Sequence, residues 1–246
     1  MTTSTTERDW LRTFVPRPSA TRRLLCFPHA GGAASAFRDL AARAPADIEV
    51  TAVQYPARQD RSGEPMPEEI ADLAERIVAV VGPSVRRTTA FFGHSMGSVV
   101  AFEVARRLRP RFPSPLSRLY VSACKAPSGF VPHEKPMADG DIRRYVGELG
   151  GTGPVVLDND DLWRMSLGAL RADLHAIHRY TYRPGPPLGC PIVAIAGSED
   201  ASATVQDMRR WKDFTVSGFS SRELPGGHFY LDHSLEGLLG VLGVSV

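Results

Sequence analysis

The chain has 246 residues, 43% of them hydrophobic and 23% charged, which excludes both a disulfide-stapled mini-protein and a disordered chain. A formal net charge of +2 supplies no strong field for a nucleic-acid partner, and the wide spacing of Cys26, Cys124 and Cys190 fits neither a disulfide framework nor a zinc pattern. The first twenty residues lack the apolar core of a signal peptide and no apolar run reaches bilayer length, so residues 1–246 read as a single cytoplasmic domain with no membrane partner.

Residues 1–21 read as an arm ending in a Pro-containing stretch. Arg23 to Phe27 is a short apolar strand that stops at Pro28-His29-Ala30-Gly31-Gly32, and Ser35 to Ala44 is a short helix. Ile48 to Gln54 is a second strand, ended by Tyr55-Pro56. Pro67 to Val81 carries Ile70, Leu73, Ile77 and Val81 at helical spacing. Thr89 to Phe92 is a strand followed at once by Gly93-His94-Ser95-Met96-Gly97. Ser98 to Leu108 is a helix whose first turns are apolar nearly all round. Leu119–Ala123, Cys190–Ala196 and Arg222–Leu224 are further strands, and a closing helix lies around Leu231 to Leu242. Alternation of this kind predicts an α/β protein, with a mostly parallel central sheet flanked by helices. The rhythm breaks over residues 131–188, where Asp141–Leu149 and Leu162–Tyr180 read as helices and no strand is convincing, so that stretch reads as a helical insertion.

Gly93-His94-Ser95-Met96-Gly97 is a G-x-S-x-G between a strand and an apolar helix, the context in which a sharp turn holds a serine hydroxyl clear of its neighbours. Ser95 at its ordinary pKa needs a base. His94 adjoins it and diverges from it at such a turn. His29 reads as structural, His133, His175 and His178 fall in the insertion, and His233 lies by the last helix. His228 follows Pro225-Gly226-Gly227 after the last strand and is the candidate base. A carboxylate must hold that base's tautomer, in the chain order Ser, acid, His. Asp200, just past a strand's C-terminal end, fits. Glu199 is its rival as a solvated loop charge, and Asp158, Asp160 and Asp161 read as helix-start charges. Acyl transfer also needs two backbone N–H groups aimed at the developing oxyanion. Met96, after the nucleophile, is one candidate and Ala30, in the first Gly-rich loop, is the other.

Taken in order, Leu25-Cys26-Phe27-Pro28-His29-Ala30-Gly31-Gly32, Gln54-Tyr55-Pro56-Ala57-Arg58, Phe92-Gly93-His94-Ser95-Met96-Gly97, Tyr180 with Tyr182, Cys190-Pro191-Ile192, Gly197 with Asp200 and Gly226-Gly227-His228-Phe229 resemble the type II thioesterases, the stand-alone editing enzymes of polyketide and nonribosomal peptide assembly lines. The likeness runs from Trp10 to about Leu239, with Ala57 standing where the family carries glycine. The resemblance implies an α/β-hydrolase fold with a helical lid over residues 131–188. It implies removal of stalled or aberrant acyl groups from the phosphopantetheine arm of acyl or peptidyl carrier domains, through an acyl-enzyme on Ser95. His228 and Asp200 complete the triad, and Ala30 and Met96 form the oxyanion hole. No metal or dissociable cofactor is implied, and nothing demands more than a monomer. Trp163, Met165, Leu167 and Leu170 are candidates for an acyl channel or for the lid's own packing. Arg106, Arg107, Arg109 and Arg111, and Arg143 with Arg144, are candidate contacts for an acidic carrier, though each taken singly reads as a solvated helix face. A general carboxylesterase on the same scaffold and a catalytically inactive carrier-binding module are the competing readings.

Overall fold

Along β2 (Arg22–Phe27) successive side chains point to opposite faces. Leu25 and Phe27 enter one core cluster and Leu24 and Cys26 the other, so both faces are covered. The same division runs through β4 (Thr89–His94), β5 (Arg118–Ser122) and β6 (Ile192–Gly197). Phe91, Leu119, Val121, Ile192 and Ala194 face one way and Phe92, Tyr120, Val193 and Ile195 the other. Strands buried on both faces belong to a parallel sheet with helices on each side.

The computed structural model describes residues 5–86, 88–109, 113–132, 137–150 and 157–243. With β1 (Leu11–Arg12), β3 (Ile48–Val53) and β7 (Phe219–Leu224), the strands form one sheet in the order β1–β3–β2–β4–β5–β6–β7. Every neighbouring pair is parallel except β1 with β3. Helix α2 (Arg38–Arg43) and α8 (Leu235–Gly243) cover one face. On the other lie α3 (Ile70–Val81) and α4 (Met96–Arg107). Helix α3 buries Ile70, Leu73, Ile77 and Val81 as their spacing predicts, and α4 is buried at every position from Met96 to Ala105. Two helices, α5 (Asp139–Leu149) and α6 (Asp160–His178), lie between β5 and β6, with no strand between them among the described residues. Asn159 starts α6, its side chain accepting from the N–H groups of Asp161 and Leu162.

Two expectations are corrected, and one helix is added. Residues 5–12 are not part of an arm: Thr5–Trp10 is a helix (α1), Trp10 is buried, and β1 pairs Leu11 with Val53 and Arg12 with Ala52. A two-residue strand is too short to show a periodicity, and its partner lies some forty residues on. The last helix begins at Leu235, because Tyr230–Asp232 is a separate 3-10 turn. A further short helix, α7 (Val205–Arg209), follows β6. Its signal was present: Thr204 and Asp207 form a reciprocal capping box, with Thr204 Oγ1 accepting from Asp207 N at 3.2 Å.

Candidate active site

β4 delivers the chain to Ser95 at the C-terminal edge of the sheet, and α4 leaves from it. Ser95 sits at φ 53°, ψ −125°, a backbone region that L residues rarely occupy. Two glycines make the turn possible. A Cβ on Gly93 would stand 2.3 Å from the Gly97 carbonyl oxygen, and one on Gly97 would stand 2.0 Å from the Phe27 carbonyl oxygen. Ser95 N donates to Ser122 O at 2.8 Å, fixing the turn to β5.

Asp200 and His228 arrive from the last two strands of the sheet. Asp200 lies three residues past the end of β6, and His228 four residues past the end of β7. Their loops touch: Glu199 N donates to Gly226 O at 2.9 Å, and a Cβ on Gly197 would stand 2.2 Å from Gly227 O. His228 Nε2 is 3.0 Å from Ser95 Oγ and its Nδ1 is 2.9 Å from Asp200 Oδ2. Asp200 and His228 are each 6% exposed, whereas the rival Glu199 is exposed. Burial alone would raise the Asp200 pKa, but hydrogen bonds from His228 and Ser202 and the charge of His228 hold it below the usual carboxylate range.

Ser202 was not anticipated. Its hydroxyl donates to Asp200 Oδ1 at 2.6 Å and lies 2.9 Å from His228 Nδ1, and its N–H donates to the same Oδ1 at 2.9 Å. The i, i+2 spacing of Asp200 and Ser202 is that of an Asx turn, a signal the sequence did contain. Two serines therefore touch His228, on opposite nitrogens.

A cavity of about 390 Å³ opens over Ser95 and His228. Ala30 and Met96 both line it. Met96 is the first residue of α4, so its N–H is one of those a helix start leaves unpaired. Much of the remaining wall is apolar, with Phe130, Val146 and Leu149, and Leu170, Leu174 and Ile177 from α6; Lys125, Tyr145 and His178 line it too. Of the four residues named for an acyl channel, only Leu170 lines this cavity. Trp163 is buried under Arg143, Leu167 packs on the core, and Met165 is 81% exposed.

The remaining histidines divide. His94 is fully buried with its Nδ1 2.9 Å from Ser122 Oγ, and His29 lies edge-on to it with ring centroids 5.9 Å apart. Both are lowered in pKa, first by burial and then by the neighbouring His228. His178, in α6, lines the cavity. His175 approaches Arg179, and His233 is exposed. His133 and Arg111 lie outside the described residues. The candidate carrier arginines have internal partners: Arg106 and Arg107 pair with Glu103, Arg143 with Asp160, and Arg144 with Asp141. Charge reversal at Arg143 would therefore disturb the join between α5 and α6 rather than report on a partner alone. Among the described residues no group of three or more His, Cys, Asp or Glu side chains is placed to hold a metal ion, and Cys26, Cys124 and Cys190 are free and buried.

Residues 22–243 match the model of the thioesterase domain family. The chain is 41% identical over 227 residues to thioesterase PikA5 of Streptomyces venezuelae, an alignment spanning 91% of this chain and 80% of that protein. Its structure is similar to that of BorB, the type II thioesterase from the borrelidin biosynthetic cluster, with a TM-score of 0.88 and 38% identity over 99% of this chain and 98% of that one. It is also similar to RedJ, the thioesterase from the prodiginine biosynthetic pathway in Streptomyces coelicolor, with a TM-score of 0.86 and 36% identity over 93% and 91% of the two chains. A hydroxyl, imidazole and carboxylate in line beneath an apolar cavity on an α/β-hydrolase sheet, together with these likenesses, show that the chain belongs to the thioesterase family, as one of its type II members.

Proposed function

We propose that this protein is an editing thioesterase that clears acyl groups from the phosphopantetheine arm of acyl or peptidyl carrier domains, with Ser95 as nucleophile. The observation that carries this reading is the 3.0 Å contact between Ser95 Oγ and His228 Nε2, with Asp200 holding the opposite nitrogen at 2.9 Å. As Ser95 Oγ attacks the thioester carbonyl, its proton passes to Nε2, and Asp200 stabilises the imidazolium that forms. The oxyanion is met by the N–H groups of Ala30 and Met96. Collapse of the tetrahedral intermediate breaks the C–S bond, and Nε2 returns the proton to the departing thiolate. Water then attacks the acyl-enzyme with the same imidazole as base and releases the acid. The apolar wall receives the acyl chain, with α5 and α6, within the insertion of residues 131–188, acting as its lid. The chemistry draws on no metal or cofactor, since the pantetheine arm arrives with its carrier. One chain provides every group, so a monomer suffices. Among the described residues no helix is long and apolar enough to cross a membrane, which suits a cytoplasmic carrier system.

Ser202 is not the nucleophile in this reading. Its hydroxyl proton is committed to Asp200 and it faces the nitrogen that Asp200 occupies, so transfer to that nitrogen would displace the orienting hydrogen bond. The test compares matched acyl thioesters and oxygen esters, on a holo carrier protein and on a short pantetheine mimic. Ser95→Ala is expected to lower kcat by about 10⁴-fold or more and Ser202→Ala by less than about tenfold. Thioester preference improved by the carrier supports the reading. Ester preference with indifference to the carrier would assign the protein to the general esterases, and the reverse ranking of the two serines would reassign the nucleophile.

A further inference from the structure

Arg58 and Asp173 form an ion pair with side chains only 2% and 0% exposed. It joins three stretches of chain. Asp173 belongs to α6, Arg58 follows β3, and both reach the loop after β2. Asp173 Oδ2 accepts from Gly31 N at 2.7 Å, and Arg58 Nε donates to Gly32 O at 3.2 Å. Tyr55, three residues before Arg58, adds a hydrogen bond from its hydroxyl to Pro28 O at 3.3 Å. The backbone is thus tied on both sides of Ala30, which lines the cavity with Ser95 and His228.

Stability gives no reason for such a pair. Apolar residues of similar volume at the same positions are commonly as stable or more so, and here Asp173 Oδ1 is buried without a hydrogen-bond partner. What apolar residues could not do is hold the Gly31 N–H and the Gly32 carbonyl. We propose that Arg58 and Asp173 are positioning residues for the oxyanion, fixing the loop so that the Ala30 N–H meets the tetrahedral intermediate. Because α6 also supplies Leu170, Leu174 and Ile177 to the cavity, the same pair sets the acyl wall and the oxyanion donor as one unit. This inference rests on the reading of Ala30 as an oxyanion donor.

The double variant Arg58→Met/Asp173→Leu removes the charges and keeps the volume. With a short acyl-pantetheine thioester, kcat is expected to fall about 30-fold or more while KM changes less than about threefold, with the thermal midpoint close to wild type. A trifluoromethyl ketone analogue, which adds Ser95 to give a hemiketal oxyanion, should lose affinity by the same factor as kcat/KM. Arg58→Lys keeps the charge but lacks the second arm to Gly32 O, and should lower kcat about fivefold with the same shift in inhibitor affinity. A folded double variant with wild-type kcat and inhibitor affinity overturns the proposal. If the double variant does not fold, Arg58→Lys with both quantities unchanged overturns it. Wild-type protein without Ser95-dependent turnover would instead remove the reading on which the inference stands.

Discussion

Ala57, Gln59, Ser95 and Ala123 are non-glycine residues at positive φ, and the site explains where they fall. Ser95 is the turn itself, Ala123 lines the cavity, and Ala57 and Gln59 flank Arg58. Ala57 has φ 62°, which accounts for the family's glycine there. A side chain in the left-handed region costs about 1–2 kcal/mol, and the freedom glycine adds to the unfolded chain returns about 0.5–1. Ala57→Gly is therefore expected to raise stability by about 0.5–1 kcal/mol, read as a higher urea midpoint at unchanged slope. Ser95, Asp200 and His228 were legible because each is announced locally, by an elbow, a strand end and a Gly-Gly turn. Asp173 was not, because its partner lies 115 residues away and nothing in the helical pattern of α6 separates a buried aspartate from a solvated one.

Close approaches between elements are what bring Ser95 under the loop after β2. The Gly97 backbone lies against Phe27 and Pro28, so a Cβ there must push β2 and the elbow apart. Gly97→Ala is expected to cost about 3 kcal/mol, at the upper end of overpacking effects, and to lower kcat at least about 10²-fold, because a shift of about 1 Å separates the proposed oxyanion donors from the serine. Gly63→Ala, where a Cβ meets nothing within 4 Å, is the control and should leave both unchanged. At this scale the parallel strands were readable because both faces are covered and the runs are continuously apolar. β1 escaped because it is defined by a hydrogen-bonded partner and not by a pattern of its own.

Across the whole molecule, the imidazoles around the site link folding to pH. Burial and the nearby His228 lower His29 from its usual 6.5 to about 4, and the same causes hold His94 well below the usual imidazole range. The unfolded chain then binds more protons than the folded one between pH 6.5 and about 4, so stability falls as pH is lowered through that window. The His29 ring is partly open to the cavity, so its share is on the order of 1 kcal/mol. Urea midpoints at pH 7 and 4.5 should therefore differ less in His29→Gln than in wild type. The comparison isolates His29 from Asp173, whose pKa is raised by burial and which acts in the opposite sense.

The two rims of the sheet differ in a way that bears on how the protein behaves at high concentration. A long unpaired strand is a template for pairing with another chain. On one rim β3 would be such a strand, but β1 runs antiparallel along its last residues and stops after two, and Gln54 N continues the cover by donating to Trp10 O at 2.7 Å. The other rim is β7, where Arg222 and Glu223 are exposed. A docking strand would meet a stub at one border and exposed charges at the other, so the sheet is guarded against growing into aggregates from either side.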